Sequence, residues 1–197
     1  MIQLLTSTPP SWAERAVSRL PELVADHAVC ELQAAVFALA LVGRYPDNPA
    51  LVDRLSALAA EELRHFRKAT KEARRLGART HTRRSNPYVS ALRAACRPGR
   101  EPEQGLDLLL AGALVEARSH ERFLLLVPHL SAEPRLAKLY AELAVAEERH
   151  GPAYLGLAER HAGREATAAR LAELLVVEAR ALEGPSGGPV AVHSPPF

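Results

Sequence analysis

An all-α protein built around four long helices is the fold class this sequence predicts. Three observations predict it. Ala and Leu dominate a chain in which 48% of residues are hydrophobic and only 5% aromatic, a balance that favours helix over sheet. Apolar residues recur at three- and four-residue steps through four long segments. The second pair of segments also repeats the first at a fixed offset. A length of 197 residues suits one domain with a sizeable core. The expected organisation is a single domain over 1–197, with a bundle at about 21–163 and an added C-terminal helix and tail over 164–197.

Taken in order, 11–20 reads as a short lead-in helix capped by Ser11. Pro21 opens the first long helix, which runs to about Gly43. The segment 45–49, Tyr-Pro-Asp-Asn-Pro, interrupts the pattern. The second long helix runs from about Pro49 to Leu76, with Gly77 as its stop. A basic linker covers 78–86, and a short helix follows at 87–96. After a turn at 97–102, the third long helix spans about Glu103 to Val127 and stops at Pro128. Ser131 is the expected cap of the fourth, with Pro134 in its first turn. That helix runs to about His161 and is expected to distort after His150, because Pro152 cannot donate to the carbonyl of Glu148. A further helix covers 163–183, and the tail is rich in Gly and Pro.

Each long helix carries an apolar stripe with a carboxylate near its middle. The stripes are Val24, Ala28, Glu31, Ala35, Ala38, Val42; Leu55, Leu58, Glu62, His65, Ala69; Leu109, Ala113, Glu116, Phe123, Val127; and Leu136, Leu143, Glu147, His150, Tyr154, Leu157. The second and fourth add a His three residues after the Glu, on the same face. Adding 85 to 31, 62, 64 and 65 gives 116, 147, 149 and 150, and both sets read Glu, Glu, Arg, His. Four carboxylates on apolar stripes are costly to desolvate unless something offsets their charge. Two divalent cations would do so. Carboxylate and imidazole donors suit iron or manganese, and no Cys lies on the pattern. One Glu from each of two helices, with Glu-x-x-His from each of the other two, is the ligand arrangement of ferritin-like di-iron four-helix bundles. The expected ligands are Glu31, Glu62, His65, Glu116, Glu147 and His150. His120, one turn after Glu116, is expected near the site; its counterpart in the first half is Ala35. Of Asp26, His27 and Cys30, one is a candidate for the shell around Glu31. Tyr154 would line a cavity or fill the core.

The segments Asp-His-Ala-Val-Cys-Glu-Leu-Gln-Ala-Ala (26–35) and Glu-Ala-Arg-Ser-His-Glu-Arg-Phe (116–123), with the two Glu-x-x-His motifs and the terminal Val-His-Ser-Pro-Pro-Phe, resemble the MiaE family. Members are tRNA hydroxylases acting on 2-methylthio-N(6)-isopentenyladenosine. The order of segments agrees from about residue 3 to the end. The resemblance implies a non-haem di-iron monooxygenase, using O₂, that hydroxylates the isopentenyl group of the modified adenosine beside the anticodon. It implies the same six ligands, with iron in preference to manganese. The chain is shorter than enterobacterial members around 43–49 and 78–90, and Gly151-Pro152 after His150 departs from the family pattern.

A formal net charge of +2 names no partner by itself. Charge is concentrated, however. Between Arg64 and Arg84 stand Arg64, Arg67, Lys68, Lys71, Arg74, Arg75, Arg79, Arg83 and Arg84, with Glu72 the one acid. Such a stripe could meet phosphates, and Lys71, Arg74, Arg75, Arg79, Arg83 and Arg84 are the expected RNA contacts. Arg64 and Arg149 are expected instead to pair with nearby carboxylates. No basic-then-apolar leader opens the chain, and the uninterrupted apolar runs are too short to span a bilayer. Cys30 and Cys96 form no metal or disulfide pattern. A cytoplasmic protein with no membrane partner is expected, compatible with a monomer. Electrons would come from an external reductase or ferredoxin-type donor, since no flavin or nicotinamide fingerprint is present. Ala34, Ala35 and Ala113 are expected to receive the prenyl tail. Competing readings are a ferroxidase or iron-storage protein, a manganese enzyme of peroxide chemistry, and an RNA-binding helical protein with a structural metal.

Overall fold

The structure, a computed structural model, describes residues 2–79, 86–183 and 190–195. Among the described residues there are seven α-helices, one short 3-10 helix and no strand. α1 spans Pro10–Ser18. It begins one residue before the expected Ser11 cap because Pro10 itself takes the first helical position, where a missing N–H costs nothing. α2 spans Leu20–Arg44 and carries Pro21 in its first turn. α3 spans Pro49–Arg75, and the Asn48 side chain accepts from the Leu51 N–H at 3.1 Å. The segment that reads as a helix breaker therefore also supplies the cap of the next helix. Gly77 follows α3 with φ 74°, the left-handed conformation expected of a stop.

α4 spans Pro87–Ala94, capped in the same way by Asn86 on Val89 N–H at 3.2 Å. α5 spans Glu103–Leu126 and passes into a 3-10 turn, Val127–His129. Pro128 thus tightens the end of α5 rather than cutting it off, since a 3-10 turn tolerates the absent donor. α6 spans Pro134–Ala162 and starts from Glu133, not from Ser131, which lies in the preceding turn. It remains helical on both sides of Pro152. α7 spans Arg164–Ala181.

The described residues group into two compact units, with the boundary inside α1. The first holds 15–79 and 190–192. There α2 packs on α3, joined by the tight connection 45–48, and Leu23, Val24, Ala28, Leu41, Leu51, Leu55 and Leu58 are buried. The second holds 2–14, 86–183 and 193–195. There α5 packs on α6, and α7 lies against α4, α5 and α6. The predicted stripes are buried except at their ends: Val42 and Val127 are half-buried, and Leu41 and Leu126 take the core positions. By length and composition α2 could cross a membrane, although its longest unbroken apolar run could not; 56% of that window is buried within the protein. The buried part includes Asp26, His27 and Glu31.

Candidate metal centre

In the first unit, α2 presents Glu31 and α3 presents Glu62 and His65. All three are buried, and one donor atom from each lies within 4.8 Å of the other two. His65 Nδ1 is 3.2 Å from Glu62 Oε2 and 3.6 Å from Glu31 Oε2. In the second unit, α5 presents Glu116 and α6 presents Glu147 and His150. These are buried too, again with donor atoms within 4.8 Å of one another. His150 Nδ1 is 3.4 Å from Glu147 Oε2, so the Glu-x-x-His turn has nearly the same geometry in both units.

The donors fit divalent cations of intermediate hardness. Each triad offers two carboxylates and one imidazole, with no sulfur. The first triad already attracts positive charge. Burial pulls the His65 pKa down, but hydrogen bonds and charge from Glu31 and Glu62 outweigh it and raise it to about 9. Burial likewise pushes Glu31 up, but the His27 imidazole, aided by His65 and Glu62, holds it well below the usual carboxylate range. A field that retains a proton on His65 will also favour a metal ion, whose arrival displaces that proton.

Residues flanking the triads have distinct places. His27, on α2, is buried and bonded through Nε2 to Glu31 Oε1. Asp26 instead accepts from the Val192 N–H at 2.9 Å, and the half-buried Cys30 thiol sits 3.8 Å from Asp26. His120 does not join the Glu116 triad; its Nδ1 donates to the Ala144 carbonyl at 2.8 Å. Tyr154 is fully buried, with its ring against Gly112: a Cβ there would stand 2.9 Å from the ring. Gly151 rests on α5, where a Cβ would meet the Ala113 carbonyl oxygen at 3.6 Å and Glu116 Cβ at 3.9 Å. Position 151 thus packs against α5 beside Glu116, at distances that would also accommodate a methyl group. A cavity of roughly 590 Å³ in the second unit is lined by residues of 2–8 and by Ala117, His120, Glu121, Leu124 and Leu125; Ala113 is buried away from it.

The other face of α5 explains much of the 116–123 motif. Arg118 is sealed from solvent and chelates Glu178 of α7, Nε to Oε1 at 2.8 Å and NH2 to Oε2 at 3.0 Å. It also donates to Glu121 and to the Thr6 carbonyl. Tyr88 of α4 donates to Glu178 at 3.0 Å and stacks on His193, which pairs with Ser119 at 3.1 Å. Arg122 lies over the Trp12 ring at 4.7 Å; burial and the Arg118 charge push its pKa down to about 9. Sequence reasoning missed this network. Two arginines four residues apart, on one face of a helix, were the available signal.

On α3, Arg67, Lys68, Lys71, Arg74 and Arg75 are exposed, as is Arg79 beyond its end. Arg75 is paired with Glu72 at 2.6 Å. Arg83 and Arg84 lie outside the described residues. Arg64 and Arg149 reach back one turn to the carbonyls of Ala60 and Val145, both at 3.4 Å.

Comparison with known proteins agrees with this geometry. Residues 1–194 match the family tRNA-(MS[2]IO[6]A)-hydroxylase (MiaE). A Pseudomonas putida protein named tRNA 2-(methylsulfanyl)-N(6)-isopentenyladenosine(37) hydroxylase is 40% identical, over 85% of this chain and 80% of its own. The Salmonella typhimurium protein of that name is 30% identical, over 82% of this chain and 77% of its own. Among solved structures, a Synechococcus protein described as having aldehyde deformylating oxygenase activity has a TM-score of 0.92. It is 39% identical, covering 98% of this chain and 96% of that one.

Proposed function

We propose that this chain, which belongs to the MiaE family of tRNA hydroxylases, adds one oxygen atom to the isopentenyl group of 2-methylthio-N(6)-isopentenyladenosine next to the anticodon. The observation that carries the reading is the pair of buried Glu, Glu-x-x-His triads in the same register. Glu31, Glu62 and His65 would hold one iron, and Glu116, Glu147 and His150 the second. Iron held by these residues would supply what no side chain has, electrons for activating O₂ against an unactivated C–H bond.

The chain's own residues do the rest. The carboxylates offset the metal charge, and the buried apolar stripes keep water from a reactive centre. The cavity beside His120, lined by apolar residues (Ile2, Leu4, Ala117, Leu124, Leu125) and polar ones (Gln3, Thr6, Ser7, Thr8, Glu121), would admit the prenyl group along α5. The exposed cations of α3 would contact phosphates, while an unstacked anticodon-loop base turns to the protein. The C–H bond gives way to C–OH, and the second oxygen atom leaves as water, taking two protons from solvent and two electrons from an external reductase or ferredoxin-type donor. The setting is the cytoplasm, and the protein acts as one domain and a monomer.

The test is a labelled-oxygen experiment with prenylated tRNA, reductant and iron-loaded protein. A mass increase of one labelled oxygen in the modified adenosine is expected; none would overturn the reading. The solved neighbour supports a second reading, an oxygenase acting on aldehydes. Its distinguishing result is turnover of an aldehyde with tRNA left unmodified. Glu62→Ala and Glu147→Ala should each lower iron content well below the roughly two ions per chain expected of the six-ligand set, as read by metal analysis.

A further inference from the structure

The 85-residue repeat is most informative where it breaks. On the ligand-bearing faces the pairs that disagree include His27 with Gly112, Ala69 with Tyr154, and Ala35 with His120. The first two are linked. Tyr154 fills the space over Gly112, where even a methyl group would stand 2.9 Å from the ring. In the first half the large and small residues change places: the bulky group is His27 on the first helix of the pair, and the second helix has Ala69. Total volume is conserved, but the chemistry is not. The first half gains an imidazole one turn before its glutamate, and the second half has no side chain there at all.

That imidazole is used. His27 Nε2 bonds Glu31 Oε1, with both residues buried. The other oxygen, Oε2, is the one on the His65 side, 3.6 Å from its Nδ1. The two oxygens of Glu31 therefore have separate tasks, one held from behind and one turned into the triad. We propose that His27 is a positioning residue that restricts Glu31 to binding metal through Oε2 alone, making the two metal-binding halves inequivalent. This rests on the two-metal reading above. Outer partners of this kind tune affinity by about 10–100-fold.

The experiment is an anaerobic titration of the metal-free protein with ferrous iron, followed by near-infrared circular dichroism, for wild type, His27→Ala and His27→Gln. Far-ultraviolet circular dichroism checks that each variant is folded. Wild type should show two resolved ferrous signatures. His27→Ala should weaken one ion by at least about tenfold and shift only that signature. His27→Gln, which keeps an N–H donor, should restore most of the affinity. If folded His27→Ala binds both ions as wild type does, or loses both equally, the positioning role is overturned while the two-metal reading stands. If the wild type binds no iron, both fall together.

Discussion

Arg118 and Glu178 are both sealed from solvent, so neither charge can be removed without stranding the other. Arg118→Ala should cost about 3–5 kcal/mol, the usual result of breaking one side of a buried pair, as measured by urea unfolding. Asp107 of α5 offers a test in pH. It is buried and takes hydrogen bonds from Arg97 and Arg170, at 2.6 and 2.9 Å. Burial raises its pKa, but the two arginines outweigh that and set it below the ordinary value. A carboxyl whose folded pKa is depressed contributes fully above its unfolded pKa of about 3.9 and loses that contribution as pH falls through the folded value. Asp107→Asn should therefore lower stability at neutral pH and flatten its fall below pH of about 4, as read from unfolding midpoints across an acid series. At this scale the sequence was uneven. The six triad residues were legible because each interrupts an apolar stripe at a repeated spacing. Asp107, Arg118 and Glu178 were not, because a charge on a helix looks the same in sequence whether it faces water or a partner 60 residues away.

Helices were legible as elements, with α3 starting at Pro49 and α5 at Glu103 as expected, while the side chains that cap them were not. The apolar periodicity located all four long segments, since burial of one face requires that spacing whatever the caps. The ends depend on single side chains. Asn48 and Asn86 stand beside prolines in segments that read as breaks between helices, although each accepts from a backbone N–H of the helix that follows. Asn48→Ala should cost about 1 kcal/mol, seen as a lower thermal midpoint. The packing of α5 on α6 makes a sharper claim. A methyl at Gly112 would stand 2.9 Å from the Tyr154 ring, so Gly112→Ala must shift the ring or part the helices. The expected cost is about 1–3 kcal/mol for overpacking, with a change in the near-ultraviolet signal of Tyr154. Gly151→Ala, which meets α5 at ordinary van der Waals distance, should be milder.

For the molecule as a whole, the charge that matters is local. A net +2 gives no general attraction to nucleic acid, but the exposed end of α3 and the residues just after it carry Lys71, Arg74, Arg75 and Arg79, with Glu72 engaged by Arg75. Replacing these four cations with Gln should weaken tRNA binding and reduce its salt dependence, by about 0.7–0.9 in the log–log slope for each phosphate no longer neutralised. Iron content should not change. Filter binding across a salt series reads the first effect and metal analysis the second. The fold class and the gathering of the two Glu, Glu-x-x-His triads follow from local periodicity and were open to a sequence reading. The ties that gather residues 6–8, Tyr88, Glu178 and His193 around α5 join positions far apart in the chain, which periodicity does not encode.

Those ties also set an order of events during synthesis. A nascent chain that has emerged through His150 already carries all six triad residues. It still lacks Glu178, so the arginine at 118 has not met its main counter-charge. It also lacks His193, which stacks on Tyr88. Domains generally form as their segments leave the ribosome, yet the half of this chain containing α5 and α6 must wait for α7 before Arg118 meets Glu178. Ribosome-bound chains arrested after α6 should therefore remain protease-sensitive around α5 and take up metal poorly. Extending the emerged chain beyond residue 193 should remove both defects together.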